Sequence, residues 1–378
     1  MTKATVALLL ILTLLSACGP AGHEGRAVAI DPAELESFCD RFFPAQMEKL
    51  HIPGVSLIVV QDGKTVLAKG YGYGDLATGS AISPDTSVMR IGSISKLFVA
   101  TAVMQLVEQG RLNLHIDVNH YLTAFQLEDT FPEPVTLAHL LTHTAGFEDP
   151  PYATYTDPHQ VQPLNEHLAE KMPPRTHPPG KEYIYSSYGY ALAALIVEEV
   201  SGMPFDRYVE QKIFRPLGMT HSRYLLALPL PENLATGYFY QDGVQVPQAV
   251  DYDDDYPGGS IVSTAEDMSH FMLAHLQDGC YQGGCILQAS TVAEMHQRRA
   301  KTPYEGQNVA LGFVEGLQNG QRLLGHTGAI SGFGSSLDLL PDHNLGYFFS
   351  FNEECWQTSA CEIFSAFRTQ LLERFFSD

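Results

Sequence analysis

Ser93-Ile94-Ser95-Lys96 is the most informative stretch of this sequence. Apolar residues recur at helical spacing from about Gly92 to Gln109, which predicts a helix that begins close to the serine. Residues three apart share one face of a helix, so the Ser93 hydroxyl and the Lys96 amine are expected to lie together. A serine becomes a useful nucleophile beside a base, and a desolvated lysine can be that base. The simpler interpretation is a helix-capping serine and a solvent-facing lysine.

Two further stretches carry residues that could join this pair. Tyr185-Ser186-Ser187 begins an aromatic-rich helix after a Pro-Gly turn, and a tyrosine hydroxyl facing a buried lysine can relay a proton. His326-Thr327-Gly328-Ala329 lies at the end of an apolar strand, where glycine lets a substrate backbone approach closely. Taken singly, each stretch is also explained by a tyrosine that packs a helix or by a turn that ends a strand.

The order of these three stretches resembles that of the serine β-lactamase and penicillin-binding protein family, in its class C, DD-peptidase and family VIII esterase branch. The segments Thr136–Gly146, Arg215–Met219 and Pro257–Gly259 also resemble that branch, so the similarity extends over roughly residues 30 to 375. The resemblance implies an α/β fold of the α+β type. We therefore expect an antiparallel sheet flanked by helices, together with a mostly helical region.

The family resemblance also implies roles for individual residues. Ser93 would be the acylated nucleophile, and Lys96 and Tyr185 would share its proton, with the formal base left open. The backbone N–H groups of Ser93 and Ala329 would form an oxyanion hole. No cofactor or metal is implied. The remaining substrate-binding positions would be Ser187, His326, Thr327 and Gly328.

Two positions depart from the usual family pattern. Ser187 stands where asparagine is usual, and a hydroxyl offers one donor where an amide offers two. His326 stands where lysine is frequent, although the DD-peptidase branch also uses histidine there. Because an unperturbed imidazole is mostly neutral above about pH 6.5, we expect carboxylate ligands to bind more tightly as the pH falls through that region.

These observations predict a serine acyl-hydrolase that acts through an acyl-enzyme on an amide, ester or β-lactam carbonyl. A DD-peptidase or carboxylesterase fits the two departures better than a dedicated β-lactamase. The expected partner is a small-molecule or peptide acyl substrate. The alternative is a penicillin-binding protein of the cell envelope that interacts with partners and has little or no turnover. The sequence contains no GxSxG motif, which argues against an α/β-hydrolase.

The N-terminal residues have the pattern of a targeting segment. Lys3 precedes an apolar run from Val6 to Leu15 that is too short to span a bilayer comfortably. The following Ser16-Ala17-Cys18 resembles the end of a bacterial lipobox. We therefore expect residues 1–17 to be a lipoprotein signal peptide, Cys18 to carry lipid, and residues 18–30 to be a tether. The protein would be exported and anchored to a bacterial membrane, facing the periplasm or the exterior.

Composition limits the possible partners and the domain organisation. The chain has 378 residues, of which 45% are hydrophobic, and a formal charge of −21. A nucleic-acid binder needs a basic face, so no nucleic-acid partner is expected. Strand patterns near both ends include the continuous apolar run Val55–Val60 and the run Leu345–Phe351. With helical patches at about 112–260 between them, they predict one composite sheet built from both termini. Asp31-Pro32 is expected to begin a helix with the core-facing residues Leu35, Phe38, Phe42 and Phe43. We expect one catalytic domain at 31–378.

The cysteines fit an exported protein. Cys280 with Cys285, and Cys355 with Cys361, are close enough in sequence to form disulfides in an oxidising compartment. Cys39 is left over and is expected to be buried. A zinc site is poorly supported because the sequence contains no CxxC pair.

Two other groups of residues contain side chains that can bind metal ions, but their spacing does not match a known metal site. His139 and His143 are four residues apart but lack the glutamate of an HExxH motif, so we expect them to hold a helix and its following loop by hydrogen bonds. The acidic stretch Asp251–Asp255 fails the EF-hand pattern. We expect a solvated loop at the rim of the cleft, where its charge would favour cationic substrates.

Overall fold

The computed structural model describes residues 28–149 and 154–376. The predicted signal peptide, the predicted lipid-attachment residue Cys18 and all but residues 28–30 of the predicted tether lie outside the described residues. None of the described helices combines the length and the apolar character that crossing a bilayer requires.

The described residues form helices and strands from Pro32 to Phe375. The α-helices are α1 Pro32–Leu50, α2 Ser95–Glu108, α3 Leu137–Leu141, α4 Leu164–Glu170, α5 Ser187–Ser201, α6 Phe205–Val209, α7 Ala265–Leu276, α8 Ala289–Met295 and α9 Glu362–Phe375. The strands are β1 Gly54–Gln61, β2 Lys64–Asp75, β3 Ser80–Ala81, β4 Met89–Arg90, β5 Thr154–Tyr155, β6 Arg223–Tyr224, β7 Tyr238–Gln241, β8 Val244–Pro247, β9 Tyr252–Asp253, β10 Ile261–Ser263, β11 Cys280–Tyr281, β12 Gly284–Cys285, β13 Ala300–Lys301, β14 Gln307–Val309, β15 Val314–Gln318, β16 Gln321–Ile330, β17 Phe333–Leu340 and β18 Leu345–Phe351.

A nine-stranded antiparallel sheet joins the two ends of the chain. Its order is β13-β14-β15-β16-β17-β18-β1-β2-β3, and β1 pairs with β18 from Val55 opposite Phe351 to Gln61 opposite Leu345. This confirms the α+β fold with a composite sheet that the sequence predicts. The expected strand at Leu345–Phe351 has the same bounds in the structure.

Strand β1 is buried on both faces of the sheet. Leu57 and Val59 pack in the core beneath α1 and α9, whereas Ile58 and Val60 belong to the core around α2, α5 and α7. A strand covered by helices on both sides has no solvent-facing positions, so its apolar run is continuous and does not alternate. The run from Val55 to Val60 therefore identified a central strand correctly.

The helix that covers one face begins where the sequence predicts. The Asp31 side chain accepts a hydrogen bond from the Ala33 amide at 3.0 Å, and Pro32 occupies the first helical position. A carboxylate cap and an N-terminal proline both favour the start of a helix, because they satisfy or remove unpaired amides. The expected core side chains of α1 are buried, namely Leu35, Phe38, Phe42 and Phe43.

The segment between the strand-rich ends contains short strands as well as the expected helices. Strands β4, β10 and β6 form a small antiparallel sheet, and β7 and β8 form a hairpin. Most of these strands have two to four residues. So short a strand carries no readable alternation, which is why the sequence pattern indicated only helices and loops here.

Both expected cysteine pairs are bonded in the structure. Cys280–Cys285 joins β11 to β12, and Cys355–Cys361 closes the loop that follows β18. Cys39 is free and buried on α1, as expected, and burial raises the pKa of its thiol to about 12. A thiol in that state is a packing group and a poor nucleophile at neutral pH.

Candidate active site

Ser93 lies in a single 3-10 turn, Gly92–Ile94, which leads directly into α2. The Lys96 side chain is 1% exposed, and its Nζ atom lies 3.2 Å from the Ser93 Oγ atom. Nζ also donates to the Gly258 carbonyl oxygen at 3.0 Å. The amine is thus held by two oxygens inside the protein, which excludes the simpler interpretation of a solvent-facing lysine.

Tyr185 stands beside this pair, immediately before α5. The Lys96 Nζ atom lies 5.0 Å from the centroid of its ring, and the side chain is 39% exposed. Ser93, Lys96 and Tyr185 all line one cavity of about 610 Å³. The structure therefore brings together three residues that are up to 92 positions apart in the chain, with the tyrosine exposed enough to meet a substrate.

The residues after Tyr185 are fixed by a cap that the sequence did not reveal. Ser186 caps α5 by accepting a hydrogen bond from the Gly189 amide at 2.9 Å. The Ser186 hydroxyl in turn donates to the Asp149 carboxylate at 2.6 Å, and the Ser187 amide donates to the same carboxylate. Burial raises the pKa of Asp149, whereas these hydrogen bonds lower it. Ser187 lies at the start of α5 and lines the cavity.

Strand β16 carries the third predicted stretch along the edge of the site. Its pairing with β15 ends at Gly325, whereas its pairing with β17 continues to Ile330. From His326 onward, the strand therefore has a sheet neighbour on one side only among the described strands. Such an edge offers main-chain groups to an extended substrate.

Glycines allow this strand to approach the turn that carries Ser93. A Cβ atom on Gly328 would lie 2.0 Å from the Ile91 carbonyl oxygen, and one on Gly92 would lie 2.9 Å from the Ala329 nitrogen. The backbone N–H of Ala329 is therefore next to the turn, and Ala329 lines the cavity. The expected partners in an oxyanion hole are thus neighbours in space. The Thr327 side chain, by contrast, is exposed and does not line the cavity.

His326 is buried, and this corrects one expectation. Its ring centroid lies 6.2 Å from that of Tyr185, and its Nδ1 atom lies 2.6 Å from the Thr327 carbonyl oxygen. A carbonyl only accepts hydrogen bonds, so Nδ1 carries the proton. Burial and the nearby Lys96 lower the pKa of His326 to about 4. The imidazole consequently stays neutral through pH 6.5, and the expected change in carboxylate binding near that pH is wrong because it assumed an unperturbed histidine.

The acidic stretch does reach the cavity. Asp251, Asp253 and Asp255 all line it, together with Glu354. Asp251 forms an ion pair with the buried Arg90, and Asp255 lies 3.2 Å from the His167 Nε2 atom. Burial and the neighbouring Asp255 raise the pKa of Asp253 to about 6. The stretch is therefore part of the cavity wall. The expectation of a solvated loop is wrong, because Asp254 is 3% exposed and no residue from 251 to 255 is fully exposed. The preference for cationic substrates stays a prediction.

A disulfide-closed loop forms another part of the rim. Trp356 lines the cavity and is 74% exposed, and it lies within the loop closed by Cys355–Cys361. Its amide donates to the Glu354 carboxylate at 3.0 Å. Trp356 is not among the site residues predicted from the sequence, although it is the only tryptophan of the chain and stands between two close cysteines. No spacing in the sequence connects Asp149 to Ser186, so nothing there indicated that contact.

His139 and His143 serve as structural residues, as expected. His139 completes a capping box with Thr136 at the start of α3, where its Nδ1 atom accepts a hydrogen bond from the Thr136 amide at 3.2 Å. The His143 Nδ1 atom accepts a hydrogen bond from the Ser186 amide at 3.1 Å. Within residues 28–149 and 154–376, no cluster of three or more histidine, cysteine or acidic side chains is arranged to hold a metal ion.

Curated relatives are similar to about four fifths of this chain. Protein flp of Staphylococcus aureus strain N315 is 28% identical over 312 residues, which is 81% of this chain and 61% of that protein. The chain thus spans about three fifths of the length of this relative. Penicillin-binding protein 4 of Amycolatopsis lactamdurans is 31% identical over 320 residues, which is 79% of this chain and 80% of that protein.

Solved structures share the fold. The octameric penicillin-binding protein homologue from Pyrococcus abyssi superposes with a TM-score of 0.75 at 26% identity, covering 91% of this chain and 78% of that one. The β-lactamase/D-alanine carboxypeptidase from Pseudomonas syringae gives a TM-score of 0.74 at 22% identity, covering 89% and 99%, and shows the fold alone. The family model described as Beta-lactamase matches residues 39–363. The chain therefore belongs to the β-lactamase family.

Proposed function

We propose that this protein is a serine acyl-hydrolase whose nucleophile is Ser93. The observation that carries the proposal is the 3.2 Å separation between the Ser93 Oγ atom and the buried Lys96 Nζ atom, on the wall of a cavity of about 610 Å³. A buried amine needs hydrogen-bond acceptors, and one of the two that Lys96 contacts is the hydroxyl of a serine that lines the cavity. The pair does match the requirement that a hydroxyl nucleophile have a base within hydrogen-bond reach.

The proposed reaction follows from these positions. The Ser93 oxygen forms a bond to the substrate carbonyl carbon while its single proton passes to one of two bases, the Lys96 amine or the Tyr185 phenolate oxygen. The backbone N–H groups of Ser93 and Ala329 stabilise the oxyanion. When the carbonyl carbon loses its leaving group, that amine or alcohol takes up the proton. Water then attacks the acyl-enzyme, which releases the acid and restores the Ser93 hydroxyl.

Peptidase or carboxylesterase activity is favoured over β-lactamase activity. Ser187 replaces an amide side chain with a hydroxyl, which removes a donor from the substrate site. His326 replaces a charged lysine with an imidazole whose pKa is lowered to about 4, so the site lacks that positive charge at neutral pH. A penicillin carboxylate is therefore expected to bind less well than a neutral ester.

Ester turnover and penicillin labelling separate an enzyme from a binding protein. The purified protein would be incubated with a chromogenic short-chain ester and, separately, with a fluorescent penicillin. The account predicts ester turnover that Ser93→Ala abolishes. Ser95→Ala is the matched control, since the Ser95 hydroxyl is buried and accepts a hydrogen bond from the Ile261 amide at 3.2 Å. Stable penicillin labelling without ester turnover would instead favour the penicillin-binding alternative.

Export with a lipid anchor at Cys18 is a second part of the proposal. It is supported by the lipobox-like sequence and by the two disulfides, which form and persist in oxidising compartments. Full-length protein expressed in a bacterium with labelled palmitate should incorporate the label. Cys18→Ala should abolish incorporation and Cys39→Ala should not. Equal labelling of the Cys18→Ala variant would contradict the proposal.

A further inference from the structure

His143 makes three kinds of contact with the segment that carries Tyr185. Its carbonyl oxygen accepts a hydrogen bond from the Ile184 amide at 2.7 Å. Its Nδ1 atom accepts one from the Ser186 amide at 3.1 Å. Its ring stacks on the Tyr185 ring with 4.3 Å between centroids and 26° between planes. The residues on both sides of Tyr185 are thus anchored to one histidine, which also packs against the phenol ring.

The backbone at His143 is unusual and its side chain is buried. The residue has φ 55°, in the left-handed region where histidine and asparagine are tolerated better than most residues. It is 4% exposed. The ring also packs near Tyr190, at 4.8 Å between centroids. A third tyrosine, Tyr183, has its ring centroid 5.6 Å from that of His143. Of these three tyrosines, Tyr185 lines the cavity and the other two do not, so Tyr185 is the ring contact of His143 that can meet a substrate.

We infer that His143 is a positioning residue that fixes the Tyr185 phenol beside Lys96 and Ser93. The inference rests on the proposed function, in which Tyr185 shares the serine proton. A phenol on a freely rotating side chain would reach the correct position only part of the time. Errors of about 1 Å in such a position can lower a rate by about 10²-fold, so the contacts made by His143 should be visible in kcat.

The accepting Nδ1 atom distinguishes two substitutions at this position. The amide oxygen of asparagine can occupy the place of Nδ1, whereas glutamine places its amide closer to the position of Nε2. His143→Asn therefore keeps an acceptor for the Ser186 amide, and asparagine also tolerates the left-handed backbone. His143→Gln loses that acceptor. Both variants lose the stacked ring, so their difference reports the hydrogen bond.

We expect kcat for a chromogenic ester to decrease in the order wild type, His143→Asn, His143→Gln. The glutamine variant should be about tenfold or more below the asparagine variant, with KM within about threefold, because orientation affects the reacting groups more than ground-state binding. His275→Gln is the control, because His275 is also a buried histidine but contacts Phe271, His296 and Phe313 and lies outside the site. It should lower the melting temperature without changing kcat.

A spectroscopic readout tests the inference without turnover. In protein labelled with ¹³Cζ-tyrosine, the Tyr185 resonance is assigned by its loss in Tyr185→Phe. Both variants lose the ring current of the stacked imidazole, so both resonances should differ from that of the wild type. The Tyr185 resonance of His143→Gln should be shifted or broadened further than that of His143→Asn. Identical Tyr185 resonances in the two variants, or equal kcat for the two variants, would overturn the inference. Different Tyr185 resonances in the two variants, with no ester turnover by the wild type, would contradict the proposed function alone.

Discussion

Gly92 lies directly against the backbone of Ala329, and a Cβ atom at position 92 would come within 2.9 Å of the Ala329 nitrogen. Gly92 also has φ 51°, a conformation that favours glycine. We expect Gly92→Ala to displace the Ala329 amide from the turn that carries Ser93. Initial rates of ester hydrolysis should show kcat at least about tenfold lower, since losing one oxyanion donor can cost about 10²–10³ in kcat.

Gly110 provides a control at the other end of the same helical segment. It has φ 69°, and a Cβ atom there would meet nothing within 4 Å. Gly110→Ala should therefore cost about 1–2 kcal/mol of stability from the backbone alone and leave kcat unchanged. If both variants lost activity equally, backbone strain would explain the effect and the contact with Ala329 would not.

The pKa of His326 predicts when the site can attract an anion. With a pKa of about 4, the imidazole is neutral at pH 7 and becomes charged only near pH 4. The test uses Asp253→Asn, because the Asp253 carboxyl lines the same cavity and its own pKa is raised to about 6. In that variant, binding of a sulfonate substrate analogue, which stays ionised across this range, should be flat from pH 8 to 5.5 and strengthen near pH 4. Adding His326→Gln should remove the change. A severalfold increase in affinity between pH 7 and 6 in Asp253→Asn would contradict the lowered pKa of His326.

The acidic wall predicts a preference for the charge of the substrate. Chromogenic esters that differ only in carrying a cationic, neutral or anionic group should be hydrolysed in that order of kcat/KM. Asp255→Asn should reduce the advantage of the cationic ester by about three- to tenfold, as expected for one charge at a partly solvated distance. Glu48→Gln, on the exposed face of α1, should have no effect. An unchanged preference in Asp255→Asn would exclude a role for this carboxylate.

Two buried histidines predict acid sensitivity of the fold. His275 is 3% exposed, and neither of its ring nitrogens has a hydrogen-bond partner within the described residues. Burial lowers the pKa of His275 well below 6.5 and that of His296 to about 4. The unfolded chain binds protons below about pH 6.5 that the folded protein does not bind, so stability falls as the pH drops from 6.5 toward 4.

Urea unfolding at pH 7 and pH 5 measures this effect. Between pH 7 and pH 5, the free energy of unfolding of the wild type should fall by about 2 kcal/mol more than that of His275→Phe. That is the change expected when the folded protein keeps one histidine neutral that the unfolded chain protonates. A substitution at the exposed His120 should not change the pH dependence. If the free energy of unfolding fell equally with pH in the wild type and in His275→Phe, His275 would have to take up a proton in the folded state.

The sequence predicted the structural features that leave a regular hydrophobic pattern or a motif of several residue types in a fixed order. The apolar run at Val55–Val60 identified the central strand. The three ordered motifs identified five residues that line the cavity, namely Ser93, Lys96, Tyr185, Ser187 and Ala329, whereas His326, Thr327 and Gly328 do not line it. Properties that depend on three-dimensional surroundings could not be predicted. The lowered pKa of His326 comes from burial beside Lys96. The Asp149 carboxylate accepts hydrogen bonds from Ser186 and Ser187, which follow it in the chain by 37 and 38 residues. Neither relationship leaves a pattern in the chain.

The most direct test of the account is the mass of the Ser93 peptide after reaction. The protein would be mixed with an activated ester, quenched in acid within seconds, digested and analysed by mass spectrometry. The account predicts that the acyl group is attached to Ser93 and that the adduct disappears as water releases it. Ester hydrolysis with no adduct on Ser93, or acylation of another residue that persists in Ser93→Ala, would contradict it.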